Sequence, residues 1–106
     1  MSLPIVRVSI VRCEPAQFDM FEKMMIEADS VLRPGLEAMR GCRGFFAGAD
    51  RASASLTNMS LWETLEDARQ MDTFQPMLDL AKRFLELGAR LERPIMNYTT
   101  LWRLDR

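Results

Sequence analysis

Residues 5–12, IVRVSIVR, alternate in character, with Val6, Val8 and Ile10 on one side and Arg7 and Ser9 on the other. Two-residue periodicity with β-branched side chains predicts a strand. Glu14-Pro15-Ala16 breaks it, and Pro15 suits the first turn of a helix. Phe18, Phe21, Met25, Ala28 and Leu32 then recur every three or four positions, opposite Gln17, Asp19, Glu22, Lys23 and Glu27, which predicts an amphipathic helix. Arg33-Pro34-Gly35 is expected to end or kink it, because the residue before proline disfavours the helical region. Leu36 to Met39 adds at most a short turn.

Gly41 and Gly44 bracket the entry to a second strand over Phe45 to Ala49, and Asp50 to Ser53 is a polar turn. A third strand over Ser55 to Glu63 follows closely enough to form an antiparallel hairpin with the second. Thr64, with Asp67 three residues on, has the form of a helix N-cap. One helical piece is expected to reach Met71, and a second, capped by Thr73, to run to a stop at Gly88. The second piece turns Phe74, Met77, Leu78, Ala81, Leu85 and Gly88 to one side. Ile95 to Leu104, IMNYTTLWRL, reads as the last strand.

The resulting β-α-β-β-α-β order predicts an α+β, ferredoxin-like antiparallel sheet. Right-handed crossovers place both helices on one face of it. The strands carry apolar groups on both sides: Phe45 beside Phe46, Leu56 and Trp62 against Met59 and Leu61, Leu101 beside Trp102. A bare apolar sheet face calls for a cover, and a second copy under two-fold symmetry is the simplest, so a homodimer through the open face is expected.

Composition narrows the function. The 106 residues suit one domain over 1–106, and a net charge of −1 with scattered arginines argues against a nucleic-acid partner. No apolar run approaches the ~20 residues that cross a bilayer, and no leader pattern is visible, so the expected setting is the cytoplasm with no membrane partner. Cys13 and Cys42 lack metal or redox spacing and read as buried thiols. The chain has no histidine, which excludes His-based triads and His-ligated zinc or haem.

Three segments together resemble the antibiotic biosynthesis monooxygenase-like proteins of the dimeric α/β-barrel group. They are the alternating first strand, the entry Gly41-Cys42-Arg43-Gly44-Phe45, and Leu61-Trp62-Glu63-Thr64-Leu65-Glu66-Asp67-Ala68. The resemblance covers nearly the whole chain and implies a dimeric α/β barrel. The group's haem degraders need a histidine that is absent here. Its cofactor-free oxygenases carry an asparagine four residues before the strand-ending tryptophan, matched by Asn58 and Trp62. By that resemblance these two are the catalytic candidates, with no cofactor and no metal required. Asn58 would hydrogen-bond an enolate-like oxygen, and Trp62 would offer an aromatic wall and an N–H donor to bound oxygen.

Residues four apart on a strand share a face about 13 Å apart, with Ser60 between them. Ser60, Met24, Met25, Met71, Met77, Tyr98 and Arg83 complete the expected lining for a small hydrophobic or aromatic ligand. The family's helix tyrosine is replaced by Ala68 and Arg69, and Lys82 and Arg83 both stand where a basic residue is expected, so proton delivery has no assigned group. Two readings remain open: an oxygenase of an electron-rich polyketide- or quinol-like aromatic, and a ligand-binding or stress-response barrel or an isomerase using the same cleft. Packing alone also accounts for Trp62, for Tyr98 and for the methionines.

Overall fold

A computed structural model describes residues 3–106. Its order is β1 (Ile5–Arg12), a 3-10 turn (Pro15–Gln17), α1 (Phe18–Glu27), α2 (Asp29–Ala38), β2 (Cys42–Asp50), β3 (Ser55–Trp62), α3 (Leu65–Ala68), a 3-10 turn (Arg69–Thr73), α4 (Gln75–Glu86), β4 (Arg90–Leu91) and β5 (Met96–Thr99). The sheet is antiparallel and does not close on itself. It runs β2-β3-β1, and β4 and β5 both pair with β1 on its far side. This is the expected ferredoxin-like α+β arrangement.

Several boundaries differ from the sequence expectation. The first helical segment breaks at Ala28, and Pro34 lies inside α2. There the chain needs Gly35, because a Cβ at that position would lie 2.5 Å from the Phe74 ring. β2 starts at Cys42 and takes an irregularity between Cys42 and Gly44. Thr64 caps α3 as expected, its hydroxyl accepting from the Asp67 N–H at 3.0 Å. Thr73 does not cap α4; Phe74 holds that position, and the Thr73 hydroxyl bonds back to the Gln70 carbonyl. The last strand is short and interrupted. Arg90–Leu91 pairs with Val11–Arg12 and Met96–Thr99 with Ile5–Val8, and the gap contains Pro94, which has no N–H for a ladder. Beyond Thr99 the chain runs past the start of β1. There the Thr100 hydroxyl bonds the Pro4 carbonyl, and Leu101, Trp102 and Leu104 stand exposed.

The buried stripe of α1 and α2 is the expected one: Phe18, Phe21, Met25, Ala28, Leu32, and also Leu36. α4 is rotated from expectation. Phe84 is its buried residue, its ring centroid 5.0 Å from that of Phe21, while Leu78 and Leu85 are exposed. These contacts split the interior into two cores. One gathers Val11, Phe18, Phe21, Leu56 and Phe84; the other gathers Leu32, Leu36, Trp62, Ala68 and Met71.

The strand register decides what lies between the cores. Directly paired residues share a face, and the pairs Arg7↔Ser60, Ser9↔Asn58 and Val11↔Leu56 put the polar stripe of β1 on the helix side. Val6, Val8 and Ile10 point to the open side, together with Met59, Phe46, Met96 and Tyr98. Phe46 is 56 % and Tyr98 54 % exposed there.

Candidate functional site

Between the two cores the polar middles of β1 and β3 form the floor of a cavity of about 270 Å³. Arg7, Ser9, Asn58 and Ser60 supply the floor, and Met25, Phe45, Met71, Met77, Leu80 and Phe84 the apolar walls. Asp72, from the turn before α4, and Arg93, from the segment after β4, are exposed lining residues and mark the rim. That volume is just below the ~300–1,000 Å³ of sites for drug-sized ligands, so it suits a body of one or two rings.

The floor has an uneven hydrogen-bond inventory. Trp62 is fully buried, and its indole N–H donates to Ser60 Oγ at 2.8 Å. Because that oxygen is accepting, the serine's own proton is left for another partner. Asn58 Nδ2 has only a long contact of 4.0 Å to the Met77 sulfur. Asn58 Oδ1 is buried with no partner among the described residues. A buried polar atom without a partner costs free energy, and one that lines a cavity is poised for a ligand. Arg7 is buried as well, its guanidinium donating to Asp72 Oδ1 at 2.8 Å and, at 3.4 Å, to Asn97 Oδ1.

Of the residues expected at the site, Met25, Asn58, Ser60, Met71 and Met77 line the cavity. Trp62 does not: it packs in the second core, with its N–H already held by Ser60, so it reaches the cavity only through that hydroxyl. Met24 is turned away and packs against the first core, and its neighbour Met25 takes the wall position one helical step round. Arg83 is exposed on the outer side of α4. Tyr98 pairs with Val6 and therefore lies on the opposite face of the sheet. Sequence reasoning passed over Arg7, Ser9, Asp72 and Arg93. Arg7 and Ser9 had one signal, their shared side of β1, and it became readable only once that side proved to face inward.

A larger groove of about 750 Å³ runs between the α1–α2 pair and the edge strand β2, but no unpaired polar atom is buried in it among the described residues. No group of three or more Cys, Asp or Glu side chains among the described residues is placed to hold a metal ion. Both thiols are free, and burial pushes Cys13 and Cys42 above the ordinary thiol range. No helix among the described residues is long and apolar enough to cross a membrane.

No protein-family model matches the chain, and no curated protein matches it by sequence. Solved structures do. A monooxygenase from the gene ActVA-Orf6 of Streptomyces coelicolor, in complex with nanaomycin D, superposes with a TM-score of 0.71 at 14% identity, covering 98% of this chain and 93% of that one. The chain has the antibiotic biosynthesis monooxygenase fold. SnoaB, a cofactor-independent oxygenase from Streptomyces nogalater, matches with a TM-score of 0.65 at 16% identity over 99% of this chain and 100% of that one. A candidate antibiotic biosynthesis monooxygenase from Deinococcus radiodurans gives 0.72 at 10% identity, over 96% and 97%. Identities this low establish the shared fold, as expected from the segments around β1, Gly41–Phe45 and Leu61–Ala68, and leave activity to the site itself.

Proposed function

We propose that the protein is a cofactor-independent monooxygenase of a small, electron-rich hydroxy-aromatic, working as a homodimer. The observation that carries the reading is Asn58, which lines an apolar cavity, carries a buried Oδ1 with no partner among the described residues, and can present it to a ligand by a side-chain rotation, beside a serine hydroxyl whose proton is free. A phenolic or enolic O–H satisfies Asn58. The neighbouring oxygen, as it gains negative charge, takes the Ser60 proton donor, which the Trp62 N–H polarises from behind. Fold neighbours described as a monooxygenase and as a cofactor-independent oxygenase support this reading.

The reaction balances without an added reductant. An activated ring methylene loses a proton to water at the cavity mouth, and the resulting carbanion combines with O₂. Its hydroperoxide then loses water to leave a carbonyl, so CH₂ + O₂ gives C=O + H₂O. One oxygen atom enters the substrate, and the substrate supplies all four electrons. Desolvation by the methionine and phenylalanine walls favours attack by the carbanion over its reprotonation.

Oxygen uptake with a panel of anthrone- and quinol-type substrates tests the proposal. Wild-type protein is expected to consume O₂ and yield the carbonyl product, and Asn58→Ala to lose most of that rate. Equal inertness of both proteins across the panel refutes it.

The dimer is supported by Phe46, Met59, Met96 and Tyr98, four large side chains exposed on the open sheet face. Packing that face against its two-fold copy buries them and forms the dimeric α/β barrel, leaving one cavity per subunit on the helix side. Light scattering at micromolar concentration should give twice the chain mass, and Phe46→Glu should halve it. A wild-type monomer overturns the dimer and leaves the cavity chemistry standing.

A further inference from the structure

The least expected group in the cavity is Arg7. A strand position whose side chain is 8% accessible is an expensive place for a guanidinium, since a buried cation is tolerated only when paired and hydrogen-bonded. Its pairing here is slight. Asp72 offers one carboxylate oxygen from a surface turn and is itself 59% accessible, and Asn97 adds a long contact of 3.4 Å from an exposed position. Arginine is built for a two-point fork, which a carboxylate meets with both oxygens. Asp72 fills half of that fork and can swing into water when displaced.

The charge of the lining points the same way. Arg7 and Arg93 stand against Asp72, two cations to one anion, and every other lining residue is uncharged. A neutral aromatic leaves that imbalance in place, whereas a ligand with one carboxylate cancels it. The register then sets the ligand's orientation. Arg7 lies directly across from Ser60, and Asn58 is the next residue on the same face of β3, about 7 Å further along. An acid group on Arg7 therefore lays an aromatic ring over Ser60 and brings a ring hydroxyl to the empty Asn58 Oδ1.

From these observations we infer that the cavity selects hydroxy-aromatic acids, the carboxylate seated on Arg7 in place of Asp72. The inference rests on the proposed ligand site at Asn58 and Ser60 and adds the substrate's charge.

Isothermal titration with 6-hydroxy-2-naphthoate and its neutral isostere 6-hydroxy-2-naphthamide tests it. The acid is expected to bind at least about tenfold more tightly than the amide, the worth of one charge-assisted pairing. Arg7→Met should reduce the acid to the affinity of the amide. Asp72→Asn removes the competing charge but keeps an amide oxygen that can accept from Arg7; with the fold checked by far-UV circular dichroism, it should tighten the acid several-fold relative to the amide. Equal binding of acid and amide by the wild type overturns the selection of acids but keeps the cavity as an aromatic site. Binding of neither probe overturns both. Acid affinity unmoved by Asp72→Asn shows that the Arg7–Asp72 pair is a structural tie, and also overturns the inference.

Discussion

Asn58→Leu should stabilise the protein while abolishing ligand binding. The amide carries a buried Oδ1 with no partner among the described residues, and its Nδ2 has only the 4.0 Å contact to the Met77 sulfur. Leaving a buried acceptor unsatisfied costs about 1–3 kcal/mol, and leucine fills nearly the same volume with no polar atom to satisfy. The long contact to the Met77 sulfur relieves part of that cost, which puts the gain at the low end, near 1 kcal/mol. For a domain of this size that is a rise of roughly 4 °C in Tm or about half a molar in urea midpoint. The assay is urea unfolding followed by far-UV circular dichroism, at one fixed protein concentration because the stability of the proposed dimer would depend on it. A midpoint lowered by the substitution refutes the reasoning, since Asn58 would then be held by interactions that folding needs. A raised midpoint with ligand binding intact would detach the amide from the site.

Ser60→Ala should move stability the other way, by about 1–3 kcal/mol in the same unfolding assay, because it strands the fully buried Trp62 N–H that now donates to Ser60 Oγ. Gly41→Ala should cost about 3 kcal/mol or more by urea unfolding: Gly41 has φ +72°, and a Cβ there would lie 2.0 Å from Asp67 Oδ2, driving that buried carboxylate off Arg40. Cys42 and Cys13 should label more slowly than a free thiol at pH 8, because burial raises both above the ordinary thiol value, with a backbone hydrogen bond at Gly44 as the opposing influence at Cys42 and Arg90 at Cys13. The sign for stability follows from the same shift: the folded state keeps a proton that the unfolded chain releases, so this contribution is whole below the unfolded thiol's pKa and fades as pH rises through the folded one. Unfolding midpoints at pH 8 and pH 10 measure it.

The fold was legible because it is written in periodicities. The stripe Phe18–Phe21–Met25–Ala28–Leu32, the alternation of β1 and the Thr64 cap all act within a few residues, and all appear in the structure. What failed depended on distant partners. Ile95 to Leu104 has the composition of one long strand, yet a strand extends only as far as its neighbour. β1 begins at Ile5, so pairing stops at Thr99. Likewise α4 turned Phe84 inward because Phe21 waits on α1, a contact between residues 63 positions apart (84 − 21) that no local pattern contains.

The site was half legible for a related reason. Asn58 came from the family resemblance, Ser60 from its place between Asn58 and Trp62 on one strand, and Met25, Met71 and Met77 from residue type, and all five line the cavity. Arg7 was missed because a charged residue alternating with valines is ordinarily the solvent side of a strand, and here it is the interior. The inversion ties the cavity to the open sheet face. Turning Arg7 and Ser9 inward furnishes the cavity with polar groups, and the same rotation necessarily turns Val6, Val8 and Ile10 outward, onto the face that carries Phe46, Met59 and Tyr98. In the single chain such a strand desolvates a cation and leaves three β-branched side chains only half-buried. A dimer that covers the outer face recovers the apolar burial, and a ligand that meets Arg7 and Asn58 completes the polar pairing. The inward arginine and the outward valines are therefore one choice, and the proposed dimer and ligand would complete its two sides.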